Sequence, residues 1–294
     1  MLLVGTADGL LDLALDGNEL RRTLPGADVV AVDGDWAIAD GWVIALASGA
    51  AIALDGLVPR CVTAIDGGRA LVGTSDARLV EVGGPDGPQR DGGFDQVPTR
   101  PSWTTPWGGP PDTRSVAVGP KGPFAGVHVG GVWRRDTTGW IEVVPAEADD
   151  HQVVTAGDRV AVAAAIGVGQ SDDGGDTWVW SHDGLHAPYC RAVALADGWL
   201  LAGASTGPAT QDGAVYRRPV EDPKTPFVRC GSGDDGDLPA SFPHNVDTFS
   251  LVAAGALVAV GTPTGGIYLS EDSGATWRPL SAPVPGVRCL SFSA

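Results

Sequence analysis

The sequence predicts an all-β protein, seven four-stranded antiparallel sheets in a closed ring, and three observations predict it. An eight-residue string occurs twice: Ser171-Asp172-Asp173-Gly174-Gly175-Asp176-Thr177-Trp178 and Ser270-Glu271-Asp272-Ser273-Gly274-Ala275-Thr276-Trp277 share S-x-D-x-G-x-T-W. Self-similarity on this scale marks a repeat architecture. The 294 residues include 43 Gly and 23 Pro, with only 6% aromatic, a profile of short strands between tight turns rather than of helices. Third, the two ends of the chain complement each other, since the strand type missing at the start is the type found at the end.

One pattern recurs along the chain. A first apolar strand ends near Asp-Gly, a second ends in Gly-Thr or a similar pair, and a third carries an aromatic or aliphatic pair. Second strands fall at Leu2–Thr6 and at residues 36–40, 70–74, 124–128, 160–164, 200–204 and 257–262. Third strands follow at 10–13, 43–47, 78–82, 132–135, 167–171, 214–217 and 266–270. First strands are placed upstream at 29–32, 62–65, 115–118, 153–155, 192–195 and 248–251. The seven units average 42 residues, the size of a four-stranded blade, so the expected fold is a seven-bladed β-propeller. The first unit lacks a first strand, and Arg288-Cys289-Leu290-Ser291-Phe292 supplies it from the C-terminus. This closure removes two open sheet edges. Residues 1–294 read as a single domain with irregular insertions at about 83–112 and 219–244.

The repeated string has a structural chemistry. Its Ser and Asp fold back onto backbone N–H groups of a tight turn. Its Gly takes a conformation a side chain would forbid. Its Thr begins the next strand, and its Trp covers the apolar edge between blades. The pattern resembles the Asp-box (BNR) repeat of β-propellers such as sialidases, sortilin-type receptors and xyloglucanases, over these two segments. The resemblance implies that the box joins the third and fourth strands of a blade, away from the ligand-binding face. Ser171, Asp173, Gly175, Thr177 and Trp178, like Ser270, Asp272, Gly274, Thr276 and Trp277, are then structural rather than catalytic. The chain as a whole is most similar to haloarchaeal single-domain β-propellers with such repeats, a family without an assigned activity.

Net charge is −17 with a pI near 4.4; 30 of 36 acidic residues are Asp, and Lys121 and Lys224 are the only lysines among 19 basic residues. Such an Asp-rich, Lys-poor surface resembles the proteins of a salt-in haloarchaeon, where it keeps the chain solvated in concentrated salt. It argues against nucleic acid as a partner, because phosphate binding needs a basic footprint. No run approaches 18 apolar residues, so no membrane span is expected. The N-terminus lacks the basic region of a signal peptide, and Arg21-Arg22 lacks the apolar run of a twin-arginine signal. A cytoplasmic monomer is the expectation. Cys61, Cys190, Cys230 and Cys289 show no C-x-x-C spacing; they read as free thiols, with no metal or cofactor signalled.

The insertions carry two further candidates. Trp103 and Trp107 offer a stacking surface or, the favoured reading, cover for a blade edge. The acidic run from Asp234 to Asp237 reads as a calcium loop or, again favoured, as plain acidic surface.

Counting back four residues from the apolar anchors of the first strands gives Arg288, Asp28, Cys61, Arg114, His151, Arg191 and Asp247 as one layer at the channel mouth. Arg60, Asp112, Asp150, His186, Tyr189 and His244 lie on nearby loops. Arginines in a ring on an acidic chain point to an anion, which a guanidinium grips with two parallel hydrogen bonds. His151 or His244 beside Asp247 has the chemistry to exchange a proton near neutral pH. The plainer alternative is that Arg and Asp satisfy one another. The expected function is a non-catalytic binding or scaffold propeller. It would take a small anionic ligand or a protein partner at a face carrying Arg114, His151, Arg191, Asp247, Arg288, Asp28 and His244. The alternative is a glycoside hydrolase. A sialidase would need an aromatic-Arg-Ile-Pro motif, where this chain has Arg21-Arg22-Thr23-Leu24-Pro25. A xyloglucanase-like inverting pair would have to come from Asp28 and Asp247.

Overall fold

The structure is a computed structural model that describes residues 1–231, 237–280 and 284–293. Among these residues, 28 strands form seven antiparallel sheets of four strands each. Blade 1 is Leu2–Thr6, Gly9–Leu13 and Glu19–Thr23, completed by Val287–Phe292. Blades 2 to 7 begin with Val29–Asp33, Pro59–Ile65, Thr113–Gly119, Asp150–Ala156, Tyr189–Ala196 and Leu251–Ala254, and each runs outward through three more strands.

Strands this short cannot bury a core singly, so each blade hides its faces against its neighbours. Seven apolar clusters result, one at each blade–blade junction. Blade 1 contributes to two of them: Leu3, Leu10 and Cys289 pack on Val29 of blade 2, while Leu2, Leu11 and Leu290 pack on Leu269 of blade 7. The closing strand pairs Leu2 with Phe292 and Val4 with Leu290. Closure by the C-terminal strand is as the two ends of the sequence require.

The two repeated turns adopt one geometry, each between third and fourth strands. Ser171 Oγ accepts from Gly175 N at 2.8 Å, and Ser270 Oγ accepts from Gly274 N at 2.8 Å. The Asp173 carboxylate accepts from Thr177 N (2.9 Å) and Thr177 Oγ1 (2.6 Å); Asp272 accepts from Thr276 N (2.8 Å) and Oγ1 (2.7 Å). Gly175 and Gly274 sit at φ 88° and 84°, left-handed backbone that favours glycine. Trp277 is buried in the core between blades 6 and 7, and Trp178 packs on the core between blades 4 and 5.

Three expectations change. The first strand of blade 7 is Leu251–Ala254 rather than 248–251, because residues 247–250 turn away to another task described below. Trp103 is buried against Phe94 and Trp133, at ring distances of 5.4 and 5.6 Å, whereas Trp107 is 76% exposed, so the two do not form one surface. The insertions also supply outer strands, Gln89–Arg90 in blade 3 and Val228–Arg229 in blade 6. The acidic run, apart from Asp237, lies outside the described residues.

Candidate functional site

Six of the seven inner strands carry a β-bulge at the same point. In blade 3, Pro59 opposes Thr74 but Cys61 opposes Gly73, leaving Arg60 as the extra residue. The same skip isolates Val30, Arg114, His151, Arg191 and Arg288 in blades 2, 4, 5, 6 and 1. In blade 7 the counterpart is Phe249, since Gly261 N donates to Ser250 O at 2.8 Å where the others resume their ladder. A bulge residue has no ladder partner and is re-aimed by the local kink. Four of these seven positions are therefore arginine. Two residues earlier stand Asp28, Asp112, Asp149 and Asp247 in blades 2, 4, 5 and 7.

This register corrects the single layer read from the sequence. Arg288, Arg114, His151 and Arg191 do share one position. Asp28 and Asp247 belong two residues before it and Cys61 one residue after, because the extra residue breaks the alternation on which counting depends. Arg60 is the blade 3 member.

Two of the arginines are neutralised. Arg288 Nε lies 3.1 Å from Asp28 Oδ1. Arg191 Nη1 lies 2.6 Å from Asp247 Oδ1, with further bonds to Pro208 O (3.1 Å) and Tyr189 Oη (3.3 Å). Burial lowers the Arg191 pKa, but Asp247 and Tyr189 outweigh it and raise it. Arg60 and Arg114 form no ion pair with a carboxylate among the described residues. Both still act on Asp112: its burial raises the pKa, yet His128, Arg114 and Arg60 hold the carboxyl below the usual range. His244 stays with its own loop, Nδ1 2.9 Å from Asn245 O and the ring stacked on Phe242.

Blades 4 and 5 bring together a histidine pair that the sequence did not announce. His128 and His151, both buried, have ring centroids 6.2 Å apart. Asp149 Oδ1 is 3.6 Å from His128 Nε2, and Asp149 Oδ2 is 3.9 Å from His151 Nε2. His151 Nδ1 bonds the carbonyl of Cys190 at 2.7 Å. Burial, with Arg114 adding to it, pushes the His151 pKa down to about 3. Burial pushes the neighbouring Asp150 up to about 8, against the pull of Arg114. His128 was legible only as a break in the repeat, for the equivalent positions in blades 3, 5 and 6 hold Ser75, Ala165 and Ser205.

Beneath this face runs a central cavity of about 330 Å³ lined by inner strands of blades 1 to 7, among them Val62, Val116, Val153, Val193 and Leu290. The segment 247–250 crosses above it. Thr248 Oγ1 donates to Arg191 O at 3.1 Å, and Phe249 packs on the cores between blades 3 and 4 and between blades 1 and 2. The repeated turns lie at the opposite end, where Gly174 N and Ser273 N bond the hairpin carbonyls of Asp158 and Ala256, each at 2.8 Å.

Ring, bulges and channel define a seven-bladed β-propeller with an arginine-bearing face. No protein-family model and no curated protein matches the chain. Among solved structures, it is similar to the WD40 repeats of RRP9, with TM-score 0.63 and 14% identity over 100% of this chain and 89% of that one. It is similar to YCF48 from Cyanidioschyzon merolae, with TM-score 0.59 and 14% identity over 91% and 95%. Against the GH74 xyloglucanase from Xanthomonas campestris the TM-score is 0.58 at 16% identity, covering 96% of this chain and 47% of the enzyme, so the chain spans about half the enzyme's length. Likeness at these identities is likeness of fold. No helix among the described residues is long and apolar enough to cross a membrane.

Proposed function

We propose that this propeller is a non-catalytic binding protein whose bulge face takes a small anion, a carboxylate or a phosphate, between Arg60 and Arg114. One observation carries the reading. Of four arginines at equivalent bulges, Arg288 and Arg191 each hold an aspartate, while the pair on adjacent blades 3 and 4 holds none. On a chain of net charge −17, two guanidinium groups without carboxylate partners are an anion's natural seat. A partner protein offers the same chemistry through an acidic side chain. The Asp-rich, Lys-poor composition favours a salt-rich cytoplasm, and the geometry of the two turns favours the Asp-box relationship. The hydrolase reading finds less support, since Asp28 and Asp247 are both engaged by arginines.

The test is a thermal-shift screen in molar KCl with inorganic phosphate, citrate and succinate. At least one should raise Tm, and Arg60→Ala with Arg114→Ala should abolish the rise while Arg288→Ala keeps it. Absence of any shift, or its survival in the double variant, ends this reading. Chromophore release from aryl glycosides, lost in Asp247→Asn, would establish the hydrolase instead.

A further inference from the structure

We propose that His128, Asp149 and His151 form a binding site for one divalent transition-metal ion of the zinc class. Their ligand atoms lie within 4.8 Å of one another. Tetrahedral ligands at zinc distances stand about 3.3 Å apart, so side-chain shifts of up to about 1.5 Å close the set.

The unpartnered nitrogen is the decisive observation. His151 is fully buried, and its Nε2, 3.9 Å from Asp149, has no hydrogen-bond partner among the described residues. Its Nδ1 is committed to the Cys190 carbonyl, which places the proton on Nδ1 and leaves a lone pair on Nε2. A buried lone pair without a partner is costly, and ligation to a metal is what such an imidazole, oriented through its other nitrogen, commonly does. His128 differs: its Nε2 faces Asp149 Oδ1 at 3.6 Å and is met by Arg114, while its Nδ1 lies 3.4 Å from Asp112 Oδ1 without a hydrogen bond. Tyr189 packs on the His151 ring at 4.8 Å and Trp107 meets the His128 ring edge-on at 5.2 Å, limiting how far either can turn.

Charge agrees. Asp150, fully buried beside Asp149, has both carboxyl oxygens unpartnered among the described residues. Its Oδ2 occupies the space a side chain at position 126 would fill, 2.3 Å from a Cβ built on Gly126. One cation opposes the ion. Arg114 Nη1 lies 3.2 Å from His128 Nε2, and metal binding requires this half-exposed guanidinium to swing aside. It then stands next to the coordination position that three protein ligands leave open. Two imidazoles and one carboxylate suit zinc, cobalt or nickel better than calcium or magnesium, which take sets of oxygens. The site does not depend on the anion reading, because none of its ligands is an arginine.

Untagged full-length protein, stripped with EDTA, is titrated with Zn²⁺ and Co²⁺ by calorimetry, with metal counted after desalting. One ion per chain is expected, with a visible Co²⁺ absorption band of low-coordinate nitrogen and oxygen ligation, undisturbed by a thousandfold excess of Mg²⁺. His128→Gln and Asp149→Asn, each with its melting temperature in EDTA as a folding control, should weaken binding at least a hundredfold. His151→Ala should do the same, and Arg60→Ala should leave binding intact. Failure to bind at micromolar metal overturns the proposal. So does binding that survives in a folded His128→Gln/Asp149→Asn variant, since the ion then sits elsewhere on the acidic surface.

Discussion

Leu290 N donates to the carbonyl of Phe249 at 2.8 Å, and this bond ties the approach to blade 7 to the strand that closes blade 1. Phe249 is held at φ 64°, a left-handed backbone that a bulky side chain rarely takes. The strain is tolerated because the ring crosses the axis and packs on two junction cores at once. Phe249→Ala should destabilise the protein by about 2–4 kcal/mol. Phe249→Gly should be the milder change, recovering about 1 kcal/mol of backbone strain. Alanine is ordinarily the more stable of the two, so denaturant unfolding showing alanine above glycine would contradict this account.

Blade 1 draws its innermost strand from the chain's end, with Ser293 N donating to Met1 O at 3.1 Å. Deleting residues 287–294 should strip two junction cores of Cys289 and Leu290 and abolish cooperative unfolding. A circular permutant joining residue 293 to residue 1, with new ends beside exposed Trp107, should instead melt within a few degrees of the parent. A calorimetric scan distinguishes these outcomes.

All four cysteines are buried. Burial pushes the thiols of Cys190 and Cys289 up to about 12 and raises that of Cys61 as well. At pH 8, a thiol at 12 instead of the usual 8.5 or so carries less than about a thousandth of the thiolate. Ellman's reagent should thus find almost no reactive thiol in the native protein and four after denaturation. Fast native labelling of Cys190 or Cys289 would show that its core opens readily.

The repeated turns make stability sensitive to acid. Hydrogen bonds, led by the Thr177 hydroxyl, hold the Asp173 carboxyl well below the usual range. Burial raises Asp272, but the bonds from Thr276 outweigh it, so its pKa is also lowered. For carboxyls lowered on folding, the stabilisation is complete above the unfolded value of about 4 and disappears as pH falls through the folded values. Asp173→Asn/Asp272→Asn should lower Tm at pH 7 and flatten its decline between about pH 4 and 2. An unchanged acid limb would place the sensitive groups elsewhere.

Much of the architecture was legible because its causes are local. A Ser and an Asp two residues apart make their turn wherever they stand, so Ser171, Asp173, Ser270 and Asp272 announced the boundary between third and fourth strands. Alternation of apolar residues located most strands within a residue or two. The surplus strand at the C-terminus identified the closure, since an unpaired inner strand has one vacant place to go. Trp103 and Trp107 were not separable in this way, because burial depends on what a loop lies against.

What the sequence determined by itself was therefore the ring: the number of blades, their turns and their fastening. Only the tertiary structure decided which residues face one another on it. A bulge adds a residue without altering composition, so period two reached Arg114, His151, Arg191 and Arg288 but passed over Arg60 and put Asp28, Cys61 and Asp247 on the wrong tier. His128 and Asp149 lie 21 positions apart on neighbouring blades, and they meet because two sheets pack side by side. Phe249 leaves its own strand to cross the channel, a course set by the two cores that receive it.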